Sequence, residues 1–117
     1  MSVHDSSKDG KLARALFSTS LMSDTKWRKL FHAIATEKPD IQQMRVKFID
    51  VADAKVMQFP PSLTAPWAYM DTIEFGPVSL RSIEWVAFDA DLSSLIETLG
   101  LYPFVLKDGI TTISGYS

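Results

Sequence analysis

Apolar residues recur with the period of an α-helix in three stretches of the chain. This spacing predicts helices over residues 11–21, 25–37 and 92–99. Pro39 ends the second helix, because the residue before a proline avoids the helical region. Gly100 lies where a helix C-terminal glycine belongs. The apolar face of the second helix consists of Trp27, Leu30, Phe31 and Ile34.

Elsewhere apolar and polar residues alternate, or apolar residues run together between turn signals, which is typical of strands. Gly76–Pro77 and Asp108–Gly109 indicate turns that join antiparallel neighbours. The prolines of residues 60–66 place that stretch in a loop. Strands are predicted over 44–51, 54–59, 69–76, 80–88, 103–107 and 110–116.

The resulting order, ααββββαββ, predicts an α+β fold. We expect a single antiparallel sheet of about five or six strands, with two N-terminal helices and one later helix packed on it. Residues 1–10 are predicted to be a flexible N-terminus, and residues 11–117 to form one domain. The predicted core residues are Trp27, Phe31, Phe48, Phe75, Trp85, Leu95 and Leu99.

The 117-residue chain contains no cysteine, which excludes disulfides and thiolate metal sites. It has no 18-residue apolar run and no apolar core of a signal peptide near its N-terminus. A cytoplasmic protein without a membrane partner is therefore expected. Residues 1–47 carry nine Lys/Arg and five Asp/Glu, whereas residues 48–117 carry three and nine. The second part is thus distinctly acidic, and such asymmetry can indicate a charged binding surface.

The stretch SIEWVAFDAD, residues 82–91, raises one question of chemistry. Two carboxylates at a strand end, Asp89 and Asp91, can hold Mg²⁺ or Mn²⁺. Alternatively, Asp91 caps the helix over 92–99, and Asp89 favours the positive end of that helix. A metal site would need further ligands, so the capping role is favoured and no metal is expected.

Other catalytic patterns are missing from the sequence. His4 falls in the predicted flexible tail, and His32 falls on the polar side of the helix over 25–37, where a solvated side chain is expected. No serine lies in a Gly-x-Ser-x-Gly elbow, and the glycines form no phosphate-binding loop. We therefore expect a protein that is not an enzyme and uses no cofactor.

A small basic cluster, Lys26, Arg28 and Lys29, flanks Trp27. Phosphate binding requires several such contacts on one face. The whole chain is acidic, however, with a net charge of −2, and Trp27 is better placed in the core. No nucleic-acid partner is expected.

Acidic residues on or beside the predicted sheet suggest a docking surface for a basic protein. Asp71 and Glu74 have opposite parity in the predicted strand over 69–76, so they are expected on opposite faces. Aromatic anchors could come from the residues that follow the proline loop. The candidate partner-binding residues are Asp50, Asp53, Trp67, Tyr69, Asp71, Glu74, Asp89 and Asp91.

Four stretches resemble a family of small bacterial proteins classed as a domain of unknown function, over about residues 20–116. They are SDTKWRKLF (23–31), RVKFID (45–50), GPVSLRSIEW (76–85) and ITTISGY (110–116). Some members of that family resemble immunity proteins of polymorphic or contact-dependent toxin systems. The resemblance implies a cytoplasmic inhibitor that blocks a cognate toxin domain, such as a basic nuclease.

Three hypotheses follow from the sequence. The first is a non-enzymatic immunity protein that covers the active site of its toxin or an adjacent surface. The second is a small metal-dependent enzyme that uses Asp89 and Asp91. The third is a structural or regulatory module that forms a homodimer through an edge strand, whereas the first implies a monomer or a weak homodimer.

Overall fold

The computed structural model describes residues 19–63 and 69–117 of the chain. Most of the helix predicted over 11–21 lies outside these residues. Its last part, residues 19–21, is not helical: Ser20 forms a bridge with Tyr116, and the Leu21 N–H donates to the Gly115 carbonyl at 2.8 Å. Pairing with the chain end has replaced helical hydrogen bonds at this point.

Helix α1, Asp24–Glu37, confirms the helix predicted over 25–37. Ser23 is the N-cap, and its hydroxyl accepts a hydrogen bond from the Lys26 N–H at 3.1 Å. The four residues of the predicted apolar face are all buried. The Lys38 N–H still donates to Ile34, and Pro39 then prevents a further turn.

Within the described residues, seven strands form two antiparallel sheets. The main sheet has the order β2-β1-β5-β7-β6, and the small sheet consists of β3 and β4. Helix α1 packs on one face of the main sheet, where the core residues lie. The strands are β1 (Gln43–Phe48), β2 (Lys55–Gln58), β3 (Tyr69–Thr72), β4 (Gly76–Ser79), β5 (Ile83–Phe88), β6 (Phe104–Lys107) and β7 (Ile110–Ser114).

The predicted central hairpin of strands 69–76 and 80–88 is wrong. Instead, β3 pairs with β4 through a turn over residues 73–75. The Thr72 side chain closes this turn, because its hydroxyl accepts from the Phe75 N–H at 2.9 Å and donates to the Gly76 carbonyl at 3.0 Å. A 3₁₀ turn, Leu80–Ser82, then leads into β5, which lies in the other sheet.

The predicted order ααββββαββ and the single sheet are therefore corrected. Within residues 19–63 and 69–117 the order is αβββββαββ, with two α-helices and two sheets. The difference arises because Gly76 and Pro77 begin a strand rather than form a turn between two strands. The α+β class itself holds.

Helix α2, Ser93–Leu99, confirms the short helix predicted over 92–99. Two lysines of α1 hold its carbonyl end: Lys26 Nζ donates to the Leu101 carbonyl at 2.9 Å and Lys29 Nζ to the Leu99 carbonyl at 3.5 Å. Cations at this end are favoured by the helix dipole. None of the helices in the described residues is long and apolar enough to cross a membrane.

The Asp108–Gly109 hairpin between β6 and β7 is confirmed. Both turn residues have positive φ, 54° and 76°, as the tight turns of hairpins require. Gly115, just after β7, lies so close to the Ile83 carbonyl that no β-carbon fits. This close approach of two backbone segments requires glycine at the position.

The core includes three of the predicted aromatic residues, Trp27, Phe31 and Phe48. Phe75, Leu95 and Leu99 pack at its rim and are partly buried. Trp85 does not belong to this core. It faces the opposite side of the sheet, because Val86 and Phe88 occupy the inward positions of β5 and successive strand side chains alternate.

Candidate partner-binding groove

The predicted acidic residues do not form one patch. Asp50 and Asp53 lie between β1 and β2, whereas Asp89 and Asp91 follow β5. Because β1 and β5 are antiparallel, these two pairs occupy opposite ends of the main sheet. A six-residue strand separates them by roughly 17–20 Å. These two pairs therefore do not converge in one anionic patch.

Asp89 and Asp91 each have a partner of their own. Asp89 Oδ1 accepts from the Arg45 guanidinium at 2.7 Å. Asp91 Oδ1 accepts from both the hydroxyl and the backbone N–H of Ser93, and these hydrogen bonds lower the pKa of its carboxyl. The helix N-cap is Leu92 and not the predicted Asp91. Asp91 lies one residue before the cap and accepts from Ser93, the first residue of the helix.

The described residues contain no group of three or more His, Asp or Glu side chains that could hold a metal ion. His32 is exposed on α1, as expected for a solvated helix histidine. The basic side chains beside Trp27 contact carbonyl groups: Lys26 and Lys29 as described above, and Arg28 the Leu63 carbonyl at 3.1 Å. In this structure these three cations therefore fasten loops and a helix end.

A cavity of about 800 Å³ separates β2 from β3 and the β3–β4 turn. We call it the inter-sheet groove. Its volume is in the range of ligand sites in proteins. Its lining includes Val46, Phe48, Lys55, Val56, Met57, Gln58, Pro60, Pro61, Ser62, Asp71, Thr72, Ile73, Glu74, Phe75, Gln42 and Gln43.

Two predicted binding residues, Asp71 and Glu74, both line this groove. The expectation that they face opposite sides is wrong, because β3 ends at Thr72. Glu74 lies in the turn that follows, where strand alternation no longer applies. Tyr69 begins β3 and is half-buried, and Trp67 lies outside the described residues.

The two ends of the inter-sheet groove are fixed by specific contacts. At one end, the chain leaves β2 through Pro60 and Pro61, and the Asp71 N–H donates to the Ser62 carbonyl at 2.8 Å. At the other end, Lys55 Nζ lies 3.6 Å from Glu74 Oε1. The groove therefore runs along β2 between a crossing segment and an ion pair.

The side of the groove next to the core is apolar. Phe48 and Phe75 meet there edge to face, with ring centroids 5.9 Å apart, beside Val46 and Met57. The rim is polar and carries carboxamides together with one cation and two carboxylates. Two exposed apolar residues, Val56 (63% exposed) and Ile73 (89% exposed), complete the opening. Such a combination suits a partner with both apolar and polar groups.

A family model matches residues 11–117, nearly the whole chain. The chain belongs to the Family of unknown function (DUF6678). This membership confirms the resemblance to a domain of unknown function. It does not connect the chain with immunity proteins. No curated protein and no solved structure matches the chain.

Membership of the DUF6678 family supplies no site residues, so the site is argued from this chain. The sequence named Asp71 and Glu74 as candidates but did not predict the groove between them and β2. One available signal was the shortness of the strand AKVMQF, together with the prolines directly after it. A short strand that ends in Phe-Pro-Pro is typical of a sheet edge.

Proposed function

We propose that this chain is a non-enzymatic binding protein that captures a partner protein in the inter-sheet groove. We further propose that the partner is a cognate toxin domain, and that the chain acts as an immunity protein by blocking that domain. The first proposal rests on the geometry of the groove, and the second on the resemblance given by the sequence stretches.

The observation that carries the proposal is the pairing of an apolar wall with a charged rim in one groove. The half-buried Phe75 and Met57 offer an apolar surface that an anchor side chain can cover, and the buried Phe48 supports it from behind. The exposed Ile73 extends this surface to the outside. Protein interfaces combine such an apolar centre with a polar rim.

The charge of the groove supports a basic partner. Among the described residues, its lining carries two carboxylates, Asp71 and Glu74, and one cation, Lys55, which gives a net charge of −1. Complementary charge speeds encounter and excludes wrong partners more than it adds affinity. A nuclease domain carries basic groups for its own anionic substrate, so it fits this surface.

The test is co-expression with whichever protein the reading frame directly upstream encodes. We expect a complex at micromolar concentrations and protection of cells that express the toxin domain. Glu74→Lys should weaken the complex about tenfold, because it reverses a rim charge. Glu97→Lys makes the same charge change on the exposed side of α2 and should have no effect. If no complex forms with both proteins at micromolar concentration, the proposal is wrong.

A further inference from the structure

We infer that the inter-sheet groove binds an extended segment of the partner, which adds to the main sheet as a strand beside β2. This inference deepens the proposed function and rests on it for the identity of the partner. The backbone groups that β2 directs into the groove support strand addition.

The hydrogen-bond register shows which groups of β2 are directed outwards. Gln43 lies opposite Gln58, and the Phe59 N–H donates to the Gln42 carbonyl at 2.9 Å. In an antiparallel ladder, hydrogen-bonded pairs alternate with pairs that are not bonded. The backbone groups of Val56 and Gln58 therefore point away from β1.

These groups lie on an edge. Among the strands of the described residues, β2 is the first of the main sheet and has β1 as its one neighbour. The outward groups of Val56 and Gln58 are two residues apart, roughly 6.6 Å along the strand. This repeat matches that of an extended peptide, which adds to an exposed sheet edge through main-chain hydrogen bonds.

The groove runs along this edge and also extends under the adjacent strand β1. Four successive residues, Lys55 to Gln58, line it, although their side chains alternate between the two faces. Five successive residues from Asp71 to Phe75 form the opposite wall. A cavity between two such segments is shaped to accept one further extended strand.

The wall opposite β2 offers side chains rather than a second edge. The Asp71 N–H is already bonded to the Ser62 carbonyl. The added strand would therefore bond to β2 and contact Asp71 and Glu74 through its side chains. We assign the occupant as a segment with alternating apolar side chains and at least one basic residue.

A second copy of this chain fits the edge less well. The β3–β4 turn is tied to the start of β2 by the Lys55–Glu74 ion pair at 3.6 Å. A second copy would bring the same excess of carboxylates to this edge, whereas a basic segment complements Asp71 and Glu74.

The inference can be tested with a phage-displayed library of random dodecapeptides as the probe. We expect the selected peptides to alternate apolar and polar residues and to carry net positive charge. Val56→Pro removes the outward N–H of β2 and leaves the bonds to β1 intact, because proline is tolerated on an edge strand. This change should lower the affinity for synthetic copies of these peptides about tenfold, which is the effect of one lost hydrogen bond.

Val56→Thr is the matched control, since it keeps the N–H and a β-branched side chain, and its affinity should stay within about twofold. Methylation of the peptide nitrogens gives a second measurement that leaves the protein unchanged. Alternate nitrogens should be sensitive and the others insensitive. Equal affinity of wild type and Val56→Pro, insensitivity to methylation, or a wild-type dimer that Val56→Pro makes monomeric would overturn the inference.

The cognate complex separates this inference from the proposed function. If the upstream protein binds wild type and Val56→Pro equally well, strand addition is wrong and the binding function stands. If the upstream protein binds neither form, the proposed function is wrong. If the upstream protein binds wild type but loses affinity for Val56→Pro, both the proposed function and strand addition are supported.

Discussion

Asp91 illustrates how one carboxylate can look catalytic in a sequence and serve the backbone in the structure. Its Oδ1 accepts hydrogen bonds from the N–H and the hydroxyl of Ser93, and it thereby stabilises the start of α2. Asp89, two residues earlier, is paired with Arg45 across the sheet at 2.7 Å. At the scale of single residues, the motif Asp-x-Asp is thus explained by two separate structural contacts.

Asp91→Ala should lower the melting temperature at pH 7 by about 3–6 °C, because the first turn of α2 loses its acceptor. The hydrogen bonds from Ser93 lower the pKa of this carboxyl from its ordinary 3.8. A lowered folded-state pKa gives stability that is present above pH 3.8 and is lost as the pH falls through the folded pKa. The difference between variant and wild type should therefore shrink below about pH 4.

Thermal unfolding followed by circular dichroism between pH 2.5 and 7 would measure this. Asp53→Ala removes an exposed carboxylate from a loop and provides the control. A difference between Asp91→Ala and wild type that grows as the pH falls would contradict the assignment.

At the scale of helices and strands, some elements are predicted correctly from a few neighbouring residues. Helix α1 is defined by its apolar face, its serine cap and a proline, and all three act within a few residues. The β6–β7 hairpin is defined by Asp108 and Gly109, whose positive φ values few other residues adopt readily. Local pattern is not sufficient at Gly76–Pro77, because a glycine followed by proline can lie in a turn, as predicted, or begin an edge strand, as observed.

Gly109→Val should destabilise the chain by about 1–2 kcal/mol, since a β-branched residue at φ 76° is strained. Space is not the reason, because no atom lies within 4 Å of the position of an added β-carbon. Urea unfolding would measure the change in the free energy of unfolding. Asp108→Asn should be tolerated, because asparagine adopts positive φ readily, and a loss equal to that of Gly109→Val would contradict this account of the turn.

At the scale of the whole molecule, the small sheet is part of the main core and not an appendage. Met70 of β3 and Val78 of β4 are fully buried within the same cluster as Val86 and Ile113 of the main sheet. A ring contact also links the two sheets, because Phe48 of β1 meets Phe75 of the β3–β4 turn with ring centroids 5.9 Å apart. The inter-sheet groove is therefore held by a continuous core, which keeps its two walls in fixed positions.

Met70→Ala should lower the free energy of unfolding by about 2–5 kcal/mol, in the range for a fully buried methionine. Met57→Ala, a change of the same residue type at a half-buried site in the groove, should cost clearly less. Urea unfolding followed by both fluorescence and circular dichroism should give one coincident transition. Two separate transitions would contradict a shared core for the two sheets.

The sequence by itself determined α1, α2, the last hairpin and the aromatic centre of the core, because each depends on residues close together in the chain. It also named Asp71 and Glu74 as binding candidates, and both line the inter-sheet groove. Only the tertiary structure decided that β3 and β4 form a second sheet, that Trp85 lies outside the core, and that the acidic residues separate. The inter-sheet groove belongs to this second group, since its walls are brought together by strand register and side-chain packing, which no local pattern encodes.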